Sequence, residues 1–227
     1  MEKVISRNGA SVVTDRTLLA CGVLAGPLYI VVGVIQMLIR PGFDPTRHDL
    51  SLMSNGVLGW IQITNFVVTG SLTIAGAIGM RRVLSGSQGG VWGPLLIAVY
   101  GVGLIGAGIF VADPMNGFPS GVPTGNAGVI SSHGLLHFVS GSIGFLALIA
   151  ACFIFARYFR ALKQSRWALY SALTGVIFFA AFFGIATGSQ AGGAVLVFVT
   201  LAFTAAVVIA WAWISALSLR LMNSTEK

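Results

Sequence analysis

The sequence predicts an all-α polytopic membrane protein, a bundle of six transmembrane helices with both termini cytoplasmic. Three observations predict it. Of 227 residues, 56% are hydrophobic and only 8% charged; a soluble domain carries about a quarter charged residues, so this chain lacks the polar surface to cover itself in water. Six runs are apolar enough and long enough to cross a bilayer, which takes roughly 20 residues at about 1.5 Å of rise each. The basic residues gather on one side of those runs. Together these exclude a soluble enzyme, a disordered tail and, despite a net charge of +7, a nucleic-acid-binding domain.

A tail, 1–16, carries Lys3, Arg7 and Arg16 and precedes the six-helix domain, 17–217; a second tail covers 218–227. The first run, 17–39, is too long for a signal-peptide core and ends at Arg40-Pro41 without a small-residue cleavage site, so it reads as a retained helix. The others lie at about 60–80, 91–112, 131–156, 167–187 and 192–217, none with a Lys, Arg, Asp or Glu in its middle. With the N-terminus inside, the segments 1–16, 81–90, 157–166 and 218–227 hold every one of the 13 basic residues except Arg40 and Arg47. That is a strong positive-inside bias. Trp92, Trp167, Trp211, Trp213, Tyr158 and Tyr170 fall near the inner interface and Trp60 at the outer one, as in an aromatic belt. Cys21 and Cys152 both fall within spans, away from an oxidising face.

Many of the 30 glycines lie inside the spans. Gly22/Gly26 and Gly184/Gly188 have the four-residue spacing that lets helices approach closely, and Gly101, Gly103, Gly106 and Gly108 crowd the third span. The expected use is packing within one chain. Gln36, Gln62, Thr64, Asn65, Ser140 and Ser142 are expected to make interhelical hydrogen bonds, with Gln62 and Asn65 near the outer end.

The ionisable residues divide by position. His48, His133, His137, Asp44, Asp49 and Asp113 all map to the outer end. In the first outer loop, Asp44-Pro45 reads as a helix cap followed by proline at the first helical position, and Asn55-Gly56 as a stop. That predicts a short interfacial helix over about 45–54. The second outer loop, 113–130, is rich in Gly and Pro, contains no Lys or Arg, and is long for a bundle connection, as binding loops and lids often are. His133 and His137 then lie one turn apart on the helix that follows. A histidine pair at this spacing can present two nitrogens to one ion. His48 and Asp113 could complete a zinc site whose open position activates water. Asp44 or Asp49 would then be the general base and Ser51 a polarising donor. The alternative is that these histidines simply brace loop against helix through hydrogen bonds.

The outer segments carry a family resemblance. Arg40-Pro41-Gly42-Phe43-Asp44 through Arg47-His48-Asp49-Leu50-Ser51, Ser54-Asn55-Gly56, Leu58-Gly59-Trp60-Ile61-Gln62, Gly106-Ala107-Gly108-Ile109-Phe110, Asp113-Pro114, Gly117-Phe118-Pro119 and His133-Gly134-Leu135-Leu136-His137 resemble the hallmarks of the bacterial domain-of-unknown-function 998 family. The resemblance covers about 18–215. It implies a small protein of about six helices in the bacterial cytoplasmic membrane, and no reaction. A looser similarity is to the seven-helix membrane hydrolases that include alkaline ceramidases, which arrange Ser, Asp and three His around zinc.

Two readings follow. One is a bundle whose outer loops bind a lipid, a small ligand or a partner; the other is a metal-dependent hydrolase of a lipid-like substrate at the outer leaflet. A transporter finds no charged residue at the midplane, and His133 and His137 cannot be opposing ligands of one haem. The lipid bilayer is the partner composition implies; the sequence leaves the oligomeric state open.

Overall fold

A computed structural model describes residues 14–87, 89–125, 129–189 and 191–224. Six helices account for nearly all of it: α1 (Asp15–Ile39), α2 (Gly59–Val83), α3 (Trp92–Ile109), α4 (Ser132–Ala161), α5 (Ser165–Gly188) and α6 (Gly193–Ser224). All six are long and apolar enough to span a membrane. No strand is present among the described residues.

The boundaries have local causes. Thr14 caps α1 by accepting the Thr17 N–H at 3.2 Å, with Asp15 in the first turn, where the helix dipole favours an anion. Pro94 lies in the first turn of α3, where its missing N–H costs no helical bond. α4 ends in a Schellman motif: Gln164 N–H donates to Phe159 O at 2.9 Å and Lys163 N–H to Arg160 O at 3.0 Å, with Lys163 at φ 57°. Helices α4 and α6 run several residues past the expected spans. Their ends are basic, and Arg220 at the end of α6 lies over the rings of Phe159 and Trp167, its stem covering apolar surface while its charge stays at the edge.

Consecutive helices pack antiparallel, and α6 closes against α1, so the six form a ring. Glycines make this closure tight. A Cβ on Gly22 would meet Ser218 of α6 and Gly76 of α2; one on Gly26 would meet the Trp211 backbone of α6. Helix α3 is thin on two sides. Gly101 lies against Gly70 and Gly108 against Phe66 on α2, while Gly103 lies against Gly144 and Gly106 against Ser140 on α4. Gly188 rests on Val199 of α6. The glycine clusters serve packing within the chain, because small residues let van der Waals contact form where lipid supplies no hydrophobic drive.

Two expectations need correction. Trp211 and Trp213 are not interfacial, for both are fully buried. Trp211 fills the ring's interior, with Tyr29 at 5.0 Å and Tyr100 at 5.6 Å between ring centroids, and Trp213 donates from Nε1 to Ser171 Oγ at 3.0 Å. A ring of six helices leaves a gap that only large side chains fill. Trp60 and Trp92 remain exposed near helix ends. Secondly, no continuous helix covers 45–54. A turn occupies Pro45 to Arg47, and a 3-10 helix follows over Leu50–Ser54.

With six antiparallel helices, the start of α1 and the end of α6 lie at the same end of the bundle. Here that side is called the basic end, and the side bearing 40–58 and 110–131 the loop end.

Candidate functional site: the loop-end cavity and its cover

Over the loop end the two long connections fold against each other. Pro45 disfavours helical backbone at Asp44, so the Asp44 carboxylate turns to Thr46, accepting from its N–H at 2.9 Å and its hydroxyl at 2.7 Å. These hydrogen bonds hold the Asp44 carboxyl below the usual carboxylate range. The cap of the 3-10 helix is Asp49 instead, whose Oδ1 accepts from Ser51 N at 3.0 Å, Leu52 N at 3.3 Å and the Ser51 hydroxyl. Asp44 and Asp49, the alternative general bases of the sequence reading, and Ser51, its polarising donor, are therefore engaged in turning the chain.

His48 is 3% exposed. Its Nδ1 accepts from the Asp44 N–H at 2.9 Å, and Nε2 lies 2.9 Å from the Asn116 carbonyl of the second loop. The first contact requires a bare Nδ1 and the second a proton on Nε2, so one tautomer satisfies both. Its ring packs with Phe43 and Phe118, centroids 5.4–5.5 Å apart. Phe118 is 1% exposed and carries the Arg40 guanidinium over its ring at 5.4 Å. Arg40 donates to Met53 O at 3.0 Å and to Asn55 O, and burial pulls it below the usual guanidinium value. In the second loop, Asn116 and Gly117 take positive φ, and Asn116 N–H donates to Gly125 O at 3.0 Å. Arg40, His48 and Phe118 thus latch the loops into one cover. His48→Phe would keep the ring contacts and lose both hydrogen bonds; we expect a loss of about 1–3 kcal/mol, read by thermal unfolding and by faster proteolysis within 113–131.

Asp113 closes the second loop at its neck. Its Oδ2 accepts from Ser131 N at 2.9 Å and its Oδ1 from the Ser131 hydroxyl, while Ser131 Oγ caps α4 by accepting from Gly134 N at 2.9 Å. His137 has Nδ1 within 3.0 Å of Ala107 O and 2.8 Å of Phe110 O, so it donates to the free carbonyls ending α3. His133 is exposed, its ring against Phe110 at 5.9 Å.

The set His48, Asp113, His133 and His137 is not brought together. Among the described residues no three His, Cys, Asp or Glu side chains are placed to hold one ion. The reason is local: both His48 nitrogens and both Asp113 oxygens already have partners. The one-turn spacing of His133 and His137 was real, but the two rings rest on different neighbours.

What the structure does assemble is a cavity of about 620 Å³ beneath the cover, within the ~300–1,000 Å³ usual for ligand pockets. All six helices contribute to its lining, with stripes at helical period on two: Gly134, His137, Phe138, Gly141, Ser142 and Phe145 on α4 and Leu196, Thr200, Phe203, Thr204 and Val207 on α6; α3 and α5 add shorter runs, and α1 and α2 add Tyr29 and Phe66. From Gly134 to Phe145 the wall descends roughly 16 Å. The rim is polar, with Arg47, Asp49, Asp113, Asn116 and Ser189; the body is largely aliphatic and aromatic. Tyr29 and Tyr100 line its deep part and stack on Trp211. Ser142 and Thr200 interrupt the apolar wall, and neither hydroxyl has a hydrogen-bond partner.

Gln36, Gln62 and Asn65 make the interhelical hydrogen bonds expected of them, buried between α1 and α2, with Gln36 Nε2 donating to Gln62 Oε1 at 2.7 Å and Asn65 Nδ2 to Tyr29 O at 3.3 Å. Such interhelical bonds are worth about 1 kcal/mol in a membrane. The cavity residues Phe145, Phe182 and Thr200 escaped notice because apolar positions at helical spacing read equally as core. Arg40 counted only toward topology, although an arginine beside proline at a span's end could have signalled a structural tie.

No curated protein and no solved structure matches the chain. The model of one family, proteins of unknown function designated DUF998, matches residues 23–220, a stretch that takes in all but the start of α1 and the last turn of α6 and includes both covering loops. The chain is a multi-pass membrane protein of the DUF998 family.

Proposed function

We propose that this protein binds a lipid-like ligand in the loop-end cavity, with the mouth on the extracytoplasmic side of a bacterial cytoplasmic membrane. The orientation rests on the positive-inside bias. The binding reading rests on one observation: a sizeable, mostly apolar space with a polar rim, open at its mouth and lined by residues of all six helices. A bundle selected only for stability fills such a space, because voids forfeit dispersion contacts. Here tight glycine contacts close the ring while the loop-end interior stays open.

Gly141 supplies the test. It lines the cavity, and a Cβ there meets only Phe145, at 3.9 Å. Gly141→Phe should therefore fill the space without displacing backbone. In scintillation-proximity binding with tritium-labelled stearate and detergent-purified protein, the wild type is expected to show saturable binding and Gly141→Phe to lose at least tenfold in affinity. The variant should melt at or above the wild-type temperature, since a helix-interior glycine is replaced and a void filled. Equal binding by both proteins would overturn the proposal.

A further inference from the structure

The cavity also indicates what kind of lipid-like molecule fits, an inference that rests on the binding reading above. Six Ser and Thr hydroxyls on these helices satisfy themselves by bonding back to the carbonyl four residues earlier, a common local solution. Thr69, Thr73, Thr174 and Ser218 do so at 2.6–2.9 Å. Thr200 and Ser142 do not. Both are buried atoms on the cavity wall without a partner, and Thr200 is 1% exposed. Their helices offer the same back-bond, so hydroxyls left out of it need an acceptor or donor from within the cavity.

The second point is at the rim. Arg47 lines the mouth; among the described residues its guanidinium makes no hydrogen bond or close ion pair, and its charge acts on the Asp44 carboxylate only at longer range. The neighbouring carboxylates are turned to other donors: Asp44 Oδ1 accepts from Thr46, Asp49 Oδ1 from the 3-10 helix and both Asp113 oxygens from Ser131. The Arg47 backbone, by contrast, is held: its carbonyl accepts from Asn116 Nδ2 at 3.4 Å. A fixed backbone whose guanidinium makes no hydrogen bond to the protein presents a planar donor to anionic oxygens. Leu196, which lines this rim region, is one turn above Thr200.

We propose that the occupant is a single-chain amphiphile held at two polar points, its anionic head on Arg47 and an oxygen within its chain on Thr200 and Ser142. The apolar walls between and below those points take the hydrocarbon.

Three labelled C18 probes test this in purified protein: stearate, octadecanol and a mid-chain hydroxystearate. Wild type is expected to bind hydroxystearate most tightly and octadecanol least. Arg47→Gln should weaken both acids roughly threefold to tenfold and leave octadecanol unchanged, the discount reflecting the exposed rim. Thr200→Val, which keeps shape and removes the hydroxyl, should weaken hydroxystearate about fivefold and leave stearate unchanged or tighter. Ser142→Ala is a second variant with the same expected pattern. If stearate binds and Gly141→Phe blocks it, yet none of these three substitutions discriminates among probes, the cavity reading stands and the two-point inference is overturned. If no probe binds wild type, both fall.

Discussion

Gly101→Val is expected to prevent assembly of the helix ring. A Cβ at this position lies 2.7 Å from the Gly70 carbonyl oxygen and 2.8 Å from Ile74 Cγ1. Nothing flexible yields at the first contact, because it is backbone in the middle of α2. Helices α2 and α3 would have to separate along their length, opening the contact that Gly108 makes with Phe66 on the same side. Overpacking of a close core costs about 1–3 kcal/mol where side chains can shift; against backbone we expect about 3 kcal/mol or more. The measurement is thermal stability in detergent by size-exclusion chromatography, where the variant should elute as aggregate. Gly33→Ala is the control, since nothing lies within 4 Å of its Cβ. It should be neutral or stabilising by up to ~1 kcal/mol. An unaltered melting temperature for Gly101→Val would refute the close crossing.

The second large effect is expected at Arg40. Arg40→Met keeps much of the apolar stem against Phe118 and removes the donors to Met53 O and Asn55 O. Arg40 is 7% exposed, so those carbonyls lose a charged donor in a place water reaches poorly. A buried acceptor left without its partner costs about 1–3 kcal/mol, and bonds to charged groups stand at the upper end. The expected loss is roughly 2–4 kcal/mol, concentrated in the cover. The helices should persist by circular dichroism while 40–58 and 113–131 become sensitive to protease. Arg40→Lys should recover little, because a single ammonium cannot reproduce the planar fork over an aromatic ring. Retention of wild-type protease resistance in Arg40→Met would show that the cover is held by other contacts.

These two predictions differ in how visible they were beforehand. The crowding of glycine in α3 pointed to close packing, and four of those glycines do meet α2 or α4. Which neighbour each one meets was not readable, because a helix has several small faces and the ring order assigns them. Arg40 was read for its charge alone. Its burial depends on Phe118, which follows it by more than seventy residues, and on carbonyls of a 3-10 helix that forms only because Asp49 rather than Asp44 caps it.

The histidines show the same limit from the other side. Residue type and spacing brought His48, His133, His137 and Asp113 to one end of the bundle, and that is where they are. Spacing cannot register the backbone groups that compete for each ring nitrogen. Asp44 N–H and Asn116 O take His48, and the last carbonyls of α3 take His137. Unpaired helix-end carbonyls and loop amides are available at every membrane interface, and a histidine near them is readily used as a brace.

By itself the sequence determined that this chain has six membrane-spanning helices, which end of the bundle is basic, and where its few ionisable side chains gather. Those properties follow from the transfer cost of charge and the thickness of the hydrocarbon layer, both functions of residue type and run length. Only the tertiary structure decided that the loop-end polar groups are latches and that the space worth testing lies beneath them. Closure of α6 on α1 turns apolar stripes from separate helices toward a shared interior, and a stripe carries no mark in sequence of whether it meets another side chain or an open cavity.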